Sequence, residues 1–247
     1  MGTILALLCL GFIFLVLDIR LRISYSLYGR KDYERFSQVQ IQGARRILAA
    51  VKTYAGFRLL IEDGLRKRLP AQFMILSNHQ SLVDIPILAY VFSGNSVGFV
   101  AKRELRRGIP SVSIALRKGK HVLIDRRGNF ADAQKELIKL ARDARKGVCP
   151  VVFPEGTRSR TVGTFHSAAV RTILGETQMP VVSVAVDGGH RIARFKGLLA
   201  NLRNCIYRVK LLSLYPATAD RGKIKDIIGR SHREISGQVE KWRKNET

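Results

Sequence analysis

The chain has 247 residues, 46% of them hydrophobic, and carries 43 Lys+Arg against 19 Asp+Glu, a net charge of +24. That length holds one core-bearing domain with an attached element and excludes two domains of full size. The positive surplus calls for polyanionic surroundings, and since the sequence has no helix-turn-helix pattern, zinc spacing or aromatic RNA-binding run, anionic lipid is expected and nucleic acid is not.

From Gly2 to Leu17 no residue is charged, and Ile4, Leu7, Leu10, Phe14 and Leu17 with their neighbours leave no polar face. At about 1.5 Å per residue the run covers roughly 24 Å, a little short of a ~30 Å hydrocarbon core, and continued through Leu27 it would span one. No basic leader or small-residue cleavage site accompanies it, so it reads as a retained membrane anchor. Arg20, Arg22, Arg30 and Lys31 follow directly, and the positive-inside bias puts the rest of the chain on the cytoplasmic side. Phe36, Val39, Gly43, Ile47, Ala50 and Tyr54 then recur at three- and four-residue steps. They predict an amphipathic helix that either lies at the membrane interface or packs on a globular core. The expected division is 1–56 as membrane-associated helices and 57–247 as an α/β domain.

Beyond residue 56 the two periodicities alternate. Short apolar runs predict strands at 57–61, 72–77, 97–101, 121–124, 148–153, 181–186 and 205–214. Helical spacing predicts helices at 85–92, 103–117 and 129–146, the last with Leu137, Leu140 and Ala144 on one stripe and Gly147 as its stop, and a terminal helix over 220–244. The fold class is therefore α/β, a central mixed sheet flanked by helices, with an N-terminal helical membrane-anchoring element. Cys9, Cys149 and Cys205 are too scattered for a disulfide framework or a paired-cysteine metal site and read as small packing residues.

Two segments at strand ends carry chemistry. In Asn78-His79-Gln80-Ser81-Leu82-Val83-Asp84, an imidazole and a carboxylate stand five positions apart. On a continuous helix five residues rotate side chains by about 140°, so the two meet only across a turn, where Asp84 orients His79 as a general base. The bland alternative makes Asp84 a helix N-cap ahead of Pro86 and leaves His79 solvated. Phe153-Pro154-Glu155-Gly156-Thr157-Arg158-Ser159-Arg160 suits a phosphate. Gly156 admits close backbone approach, Thr157 and Ser159 supply hydroxyls, Arg158 and Arg160 supply donor forks, and Glu155 accepts from a substrate hydroxyl. Alone, that octet would read as a basic surface turn.

Together these segments resemble the glycerolipid acyltransferase family, in particular 1-acylglycerol-3-phosphate acyltransferases, over roughly residues 58–215. The family's motifs occur in the same chain order: His-four-residues-Asp, a second motif here running from Lys102 through Ile124-Asp125-Arg126, Glu-Gly-Thr-Arg, and a Pro-containing strand, Met179-Pro180-Val181-Val182-Ser183-Val184. Two departures fall on the acceptor or acyl-chain side: residues 106–114 lack the usual aromatic-Gly run, and Ser183 stands where a second Pro is common.

The resemblance implies that His79, oriented by Asp84, removes the proton of a glycerol hydroxyl as it attacks an acyl thioester, with no acyl-enzyme. It assigns the acceptor phosphate to Arg158 with Arg126 or Lys102, and the remaining substrate-binding positions to Glu155, Gly156 and Thr157. Oxyanion donors are expected near the 155–157 turn or at the helix start after Asp84. The implied reaction is transfer from acyl-ACP or acyl-CoA, as co-substrate, to the sn-2 hydroxyl of 1-acylglycerol 3-phosphate, giving phosphatidic acid for phospholipid biosynthesis. No cofactor and no metal are expected; the partners are a lysophospholipid acceptor, the acyl donor and an anionic membrane. Alternatives are an acyltransferase acting on another lysolipid or on glycerol 3-phosphate, a metal hydrolase built on His79, Asp84 and Glu155 without any HExxH-type spacing, and a basic membrane-tethered binding protein that has no use for His79.

Overall fold

The computed structural model describes residues 2–28, 33–125 and 128–245. In chain order the elements are α1 (Gly2–Tyr28), α2 (Tyr33–Ala55), β1 (Arg58–Glu62), β2 (Met74–Ser77), α3 (Asp84–Val91), β3 (Ser96–Lys102), α4 (Val112–Lys118), β4 (Val122–Ile124), α5 (Phe130–Ala144), β5 (Val148–Val152), α6 (Ala168–Thr177), β6 (Val181–Asp187), α7 (Phe195–Asn201), β7 (Ile206–Tyr215) and α8 (Arg221–Lys244).

The strands form a seven-stranded sheet in the order β1-β7-β6-β2-β5-β3-β4. Neighbours are parallel except β6 and β7, which run antiparallel, so the sheet is mixed as expected. The strands of a parallel block end on the same edge, and the loops leaving β2, β5, β3 and β6 therefore open side by side. Every residue of β2, β5 and β6 is buried, which is why their sequences are continuous apolar runs without polar alternation. In β2 the two-residue period divides the core: Ile75 joins Phe73, Leu88, Phe99 and Val151 on one face, while Met74 and Leu76 join Leu140, Ile173 and Ile224 on the other.

The expected helix over 103–117 is broken in two. A 3-10 turn covers Arg103–Arg106, and α4 begins only at Val112. Pro110 lacks a donor and disfavours helical geometry at Ile109, and Ser111 takes a φ of 60°, so no helix passes through this stretch. α6 and α7 are short helices that the periodicity did not announce.

α1 and α2 form an antiparallel pair laid on the sheet's helical layer. Gly43 faces Leu17 where the two helices pack: a Cβ there would come within 2.5 Å of Leu17 Cδ2, so a larger residue would displace the Leu17 side chain. Ala6 and Leu10 of α1 and Val51 and Ala55 of α2 belong to the same apolar cluster as Ile87, Leu88 and Phe99. The apolar side of α2 thus packs on core, one of the two sequence-based alternatives. Asp18 ties α1 to the start of α4, its Oδ1 accepting from Ser111 N–H at 2.7 Å. Asp18, Arg20 and Arg22 also interrupt the apolar run, and among the described residues no helix is long and apolar enough to cross a membrane. The expected continuation of the run through Leu27 into a span is therefore not met. What α1 does present outward is a stripe at three- and four-residue steps, Leu8, Phe12, Leu15, Ile19, Ile23 and Leu27, each between 49% and 70% exposed.

Candidate active site

β2 ends at Ser77, and the chain is pinned at once. Asn78, 1% exposed, uses its side-chain amide as a substitute peptide: Nδ2 donates to Val186 O and Oδ1 accepts from Val186 N–H, both at 2.9 Å. His79 follows, with Nδ1 2.8 Å from Asp84 Oδ2. That same oxygen accepts from the backbone N–H groups of Gln80 at 2.6 Å and Ser81 at 2.9 Å. Oδ2 thus acts as an acceptor throughout, so Nδ1 carries the ring hydrogen and Nε2 keeps its lone pair. The His79 ring stacks on Phe153 at 4.2 Å between centroids, and its side chain is 12% exposed.

Asp84 is wholly buried as the first residue of α3. It does not act as an N-cap; its carboxylate turns back onto the loop that carries His79. The other oxygen, Oδ1, accepts from Tyr207 OH of β7 at 2.6 Å and from Ser81 Oγ at 3.3 Å. Burial, reinforced by the Asp84 charge, pushes the Tyr207 phenol well above its usual range, so it stays a donor to that carboxylate.

The loop after β5 is laced to the first. His79 N–H donates to Glu155 Oε1 at 2.7 Å, and Ser159 N–H donates to His79 O at 2.9 Å. Glu155 is 6% exposed, and its Oε2 accepts from Gly163 N–H at 2.8 Å. Burial pushes its carboxyl up, against the pull of the His79 and Gly163 N–H groups. Both carboxylate oxygens thus accept backbone N–H groups of the protein, which ties the loop after β5 to the loop that carries His79. Gly156 has a φ of +67°, a turn that glycine adopts without strain, and open space around its Cβ position. Near the expected oxyanion donors, Gly156 N–H donates to Phe153 O, and in the first turn of α3 Asp84 N–H donates to Ser81 O and Ile85 N–H to Leu82 O.

His79, Thr157, Arg158 and Arg160 line one cleft of about 900 Å³, together with Lys102 at the end of β3 and His190. Gly156 borders it too, while Arg126 lies outside the described residues. Beside it an apolar cavity of about 360 Å³ runs between α1, α2, α3 and α4, lined by Leu10, Ile41, Leu48, Pro86 and Val112 among others. Leu82, Ile85 and Leu105 line both spaces and mark their junction.

An imidazole tied to a carboxylate, beside a cleft edged with guanidinium groups, is the arrangement the motifs implied, and the family model described as Acyltransferase matches residues 61–187. The chain belongs to the acyltransferase family. Over 154 residues, 58% of the chain, it is 29% identical to an uncharacterized acyltransferase of Schizosaccharomyces pombe. Over 118 residues, 47% of the chain, it is 30% identical to a 1-acyl-sn-glycerol-3-phosphate acyltransferase of Cocos nucifera. The matched stretches span 52% and 37% of those two relatives. In fold, 95% of the chain superposes on 98% of the 1-acyl-sn-glycerophosphate acyltransferase PlsC of Thermotoga maritima, with a TM-score of 0.59 at 21% identity.

In this acyltransferase, the roles of five residues around the His79–Asp84 pair are not legible in the sequence. Asn78 and Gln80 lay within the quoted motif without a role. Tyr207, Asp187 and Arg243 lay far from it: Asp84 and Tyr207 are 123 positions apart and Asp187 and Arg243 are 56 apart. One signal was present, a charged residue, Asp187, closing the buried strand β6.

Proposed function

We propose that the protein transfers a fatty acyl group from an acyl thioester, acyl-ACP or acyl-CoA, to the sn-2 hydroxyl of a 1-acylglycerol 3-phosphate. The observation that carries this reading is the His79 imidazole, with Nδ1 bound to Asp84 and the ring facing a cleft shared with Arg158. Nε2 removes the acceptor's hydroxyl proton as its oxygen attacks the thioester carbonyl. When the tetrahedral intermediate collapses, the C–S bond breaks and the departing sulfur takes that proton back from the imidazolium, so His79 is restored with no acyl-enzyme. Asp84 stabilises the imidazolium in between. Arg158, with Lys102 or Arg126, holds the acceptor phosphate, and Thr157 lines the same cleft as Arg158 and Lys102. The adjoining apolar cavity receives an acyl chain.

The same reading puts residues 1–56 at a membrane surface and residues 57–247 as the catalytic unit on its cytoplasmic side. The exposed stripe on α1 supports an interfacial seat, since such a helix buries its apolar face at the boundary of the acyl region while a surplus of basic residues attracts anionic headgroups.

The test is purified protein offered both donor types with lysophosphatidic acid, other lysolipids and glycerol 3-phosphate. Lysophosphatidic acid should be the preferred acceptor. Arg158→Ala should raise its KM far more than the donor's, and His79→Ala should lower turnover by roughly 10²–10⁴-fold without unfolding the protein. Near-normal turnover in His79→Ala overturns the mechanism; a preference for a phosphate-free acceptor overturns the substrate.

A further inference from the structure

Arg243 lies in the last turn of α8, 56 positions beyond the end of the matched family region, yet its guanidinium reaches the catalytic loops. Nη2 donates to Asp187 Oδ1 at 2.6 Å and to the backbone carbonyl of Arg160 at 2.6 Å, and Nε lies 3.2 Å from the same Asp187 oxygen. Asp187 is 2% exposed at the end of β6 and also accepts from Gln80 Nε2 at 2.8 Å. Burial pushes its carboxyl up, but hydrogen bonds from His190, Arg243 and Gln80 outweigh that and hold it well below the usual carboxylate range. Gln80, itself buried, has its backbone N–H on Asp84, and its Oε1 accepts from His190 N–H at 3.2 Å.

We propose that Arg243 is a positioning residue for catalysis: through Asp187 and Gln80 it fixes the loop that carries His79, and through the Arg160 carbonyl it fixes the Glu-Gly-Thr-Arg loop against it. The two ends of the clamp meet, because Ser159, next to Arg160, donates its N–H to His79 O. A planar fork suits this task, since one side chain must meet a carboxylate and a carbonyl held by different loops. The active site is thus completed by the C-terminal helix, and a chain that ended before residue 243 would keep every recognisable motif and lack the clamp.

The proposal rests on the acyl-transfer reading, and the experiment separates the two. Full-length Arg243→Met and Arg243→Lys are compared with wild type for kcat and KM on lysophosphatidic acid and an acyl thioester, for thermal unfolding, and for amide hydrogen exchange. Arg243→Met should lower kcat by about 10–100-fold with both KM values little changed, as expected when reacting groups lose alignment by about 1 Å. Exchange should quicken locally, over residues 79–84 and 158–163, and Arg243→Lys should recover part of kcat because a point charge serves only one end of the clamp. Adding Asp187→Asn to Arg243→Met should cost much less than the product of the single effects. Unchanged kcat with unchanged exchange overturns the proposal, as does exchange that quickens throughout the molecule with no recovery by lysine. If exchange quickens locally but the wild-type protein transfers no acyl group from any donor, the acyl-transfer reading fails and the clamp stands.

Discussion

Asp84→Asn separates charge from geometry at the His79–Asp84 pair. The carboxylate's two oxygens have different neighbours: Oδ2 receives the N–H groups of His79, Gln80 and Ser81, whereas Oδ1 faces only the hydroxyls of Tyr207 and Ser81. An asparagine fits that division, its oxygen replacing Oδ2 and its NH₂ donating to hydroxyls that turn to accept. The His79 tautomer and the backbone N–H partners are kept, and only the hydroxyl hydrogens of Tyr207 and Ser81 lose their acceptor, so folding should be weakened less than by alanine. What disappears is the negative charge that stabilises the imidazolium. Two unit charges about 4 Å apart interact by about 4 kcal/mol at an effective dielectric constant near 20, which corresponds to roughly three orders of magnitude in rate. The assay is kcat at saturating substrates beside thermal unfolding, with Asp84→Ala as contrast. Alanine strands two backbone N–H groups, the His79 ring N–H and the Tyr207 hydroxyl, so it should also destabilise the fold by several kcal/mol. Asp84→Asn that retains more than about a tenth of wild-type kcat, or that unfolds as readily as Asp84→Ala, would refute this account.

Glu155→Gln should lower kcat and loosen the His79 loop while leaving the acceptor's KM near its wild-type value, because an amide accepts only one of the two N–H groups that Glu155 now receives; a large KM effect would assign Glu155 to the substrate. Leu8→Glu with Phe12→Glu should weaken sedimentation with anionic vesicles by more than 10²-fold, since burying two such side chains is worth about 3–6 kcal/mol; unchanged sedimentation would remove the α1 stripe from the membrane surface. His121 makes stability acid-sensitive. Burial pushes its imidazole down to about 4 from 6.5, so the unfolded chain takes up the proton first and stability falls as pH drops from about 6.5 toward 4, by up to roughly 3 kcal/mol. His121→Asn, whose Oδ1 replaces the Nδ1 that accepts from Phe99 N–H, should flatten that slope in urea unfolding at pH 7 and pH 4.5, and an unchanged slope would assign the acid sensitivity elsewhere.

The sequence alone determined what depends on local pattern. Continuous apolar runs marked β2, β5 and β6 because strands buried on both faces have no polar face to show, and the stripe of Leu137, Leu140 and Ala144 marked α5. His79 and Asp84 were legible as a pair because five residues bring two side chains together only across a turn, and the chain makes that turn at 2.8 Å. Helix 103–117 was misread because apolar spacing does not register the break at Pro110 and Ser111. The tertiary structure decided everything that needs two distant segments at once. Nothing local in Tyr207, Asn78, Asp187 or Arg243 says that a phenol will hold Asp84, an amide will mimic a peptide against Val186, or a guanidinium from the last helix will reach the loop after β5. Nor does anything local say that the backbone N–H groups of His79 and Gly163 will converge on the Glu155 carboxylate. A buried polar group is stable only where its partners converge, and that convergence is a property of the parallel sheet, which lines up the strand ends, and not of any stretch of sequence.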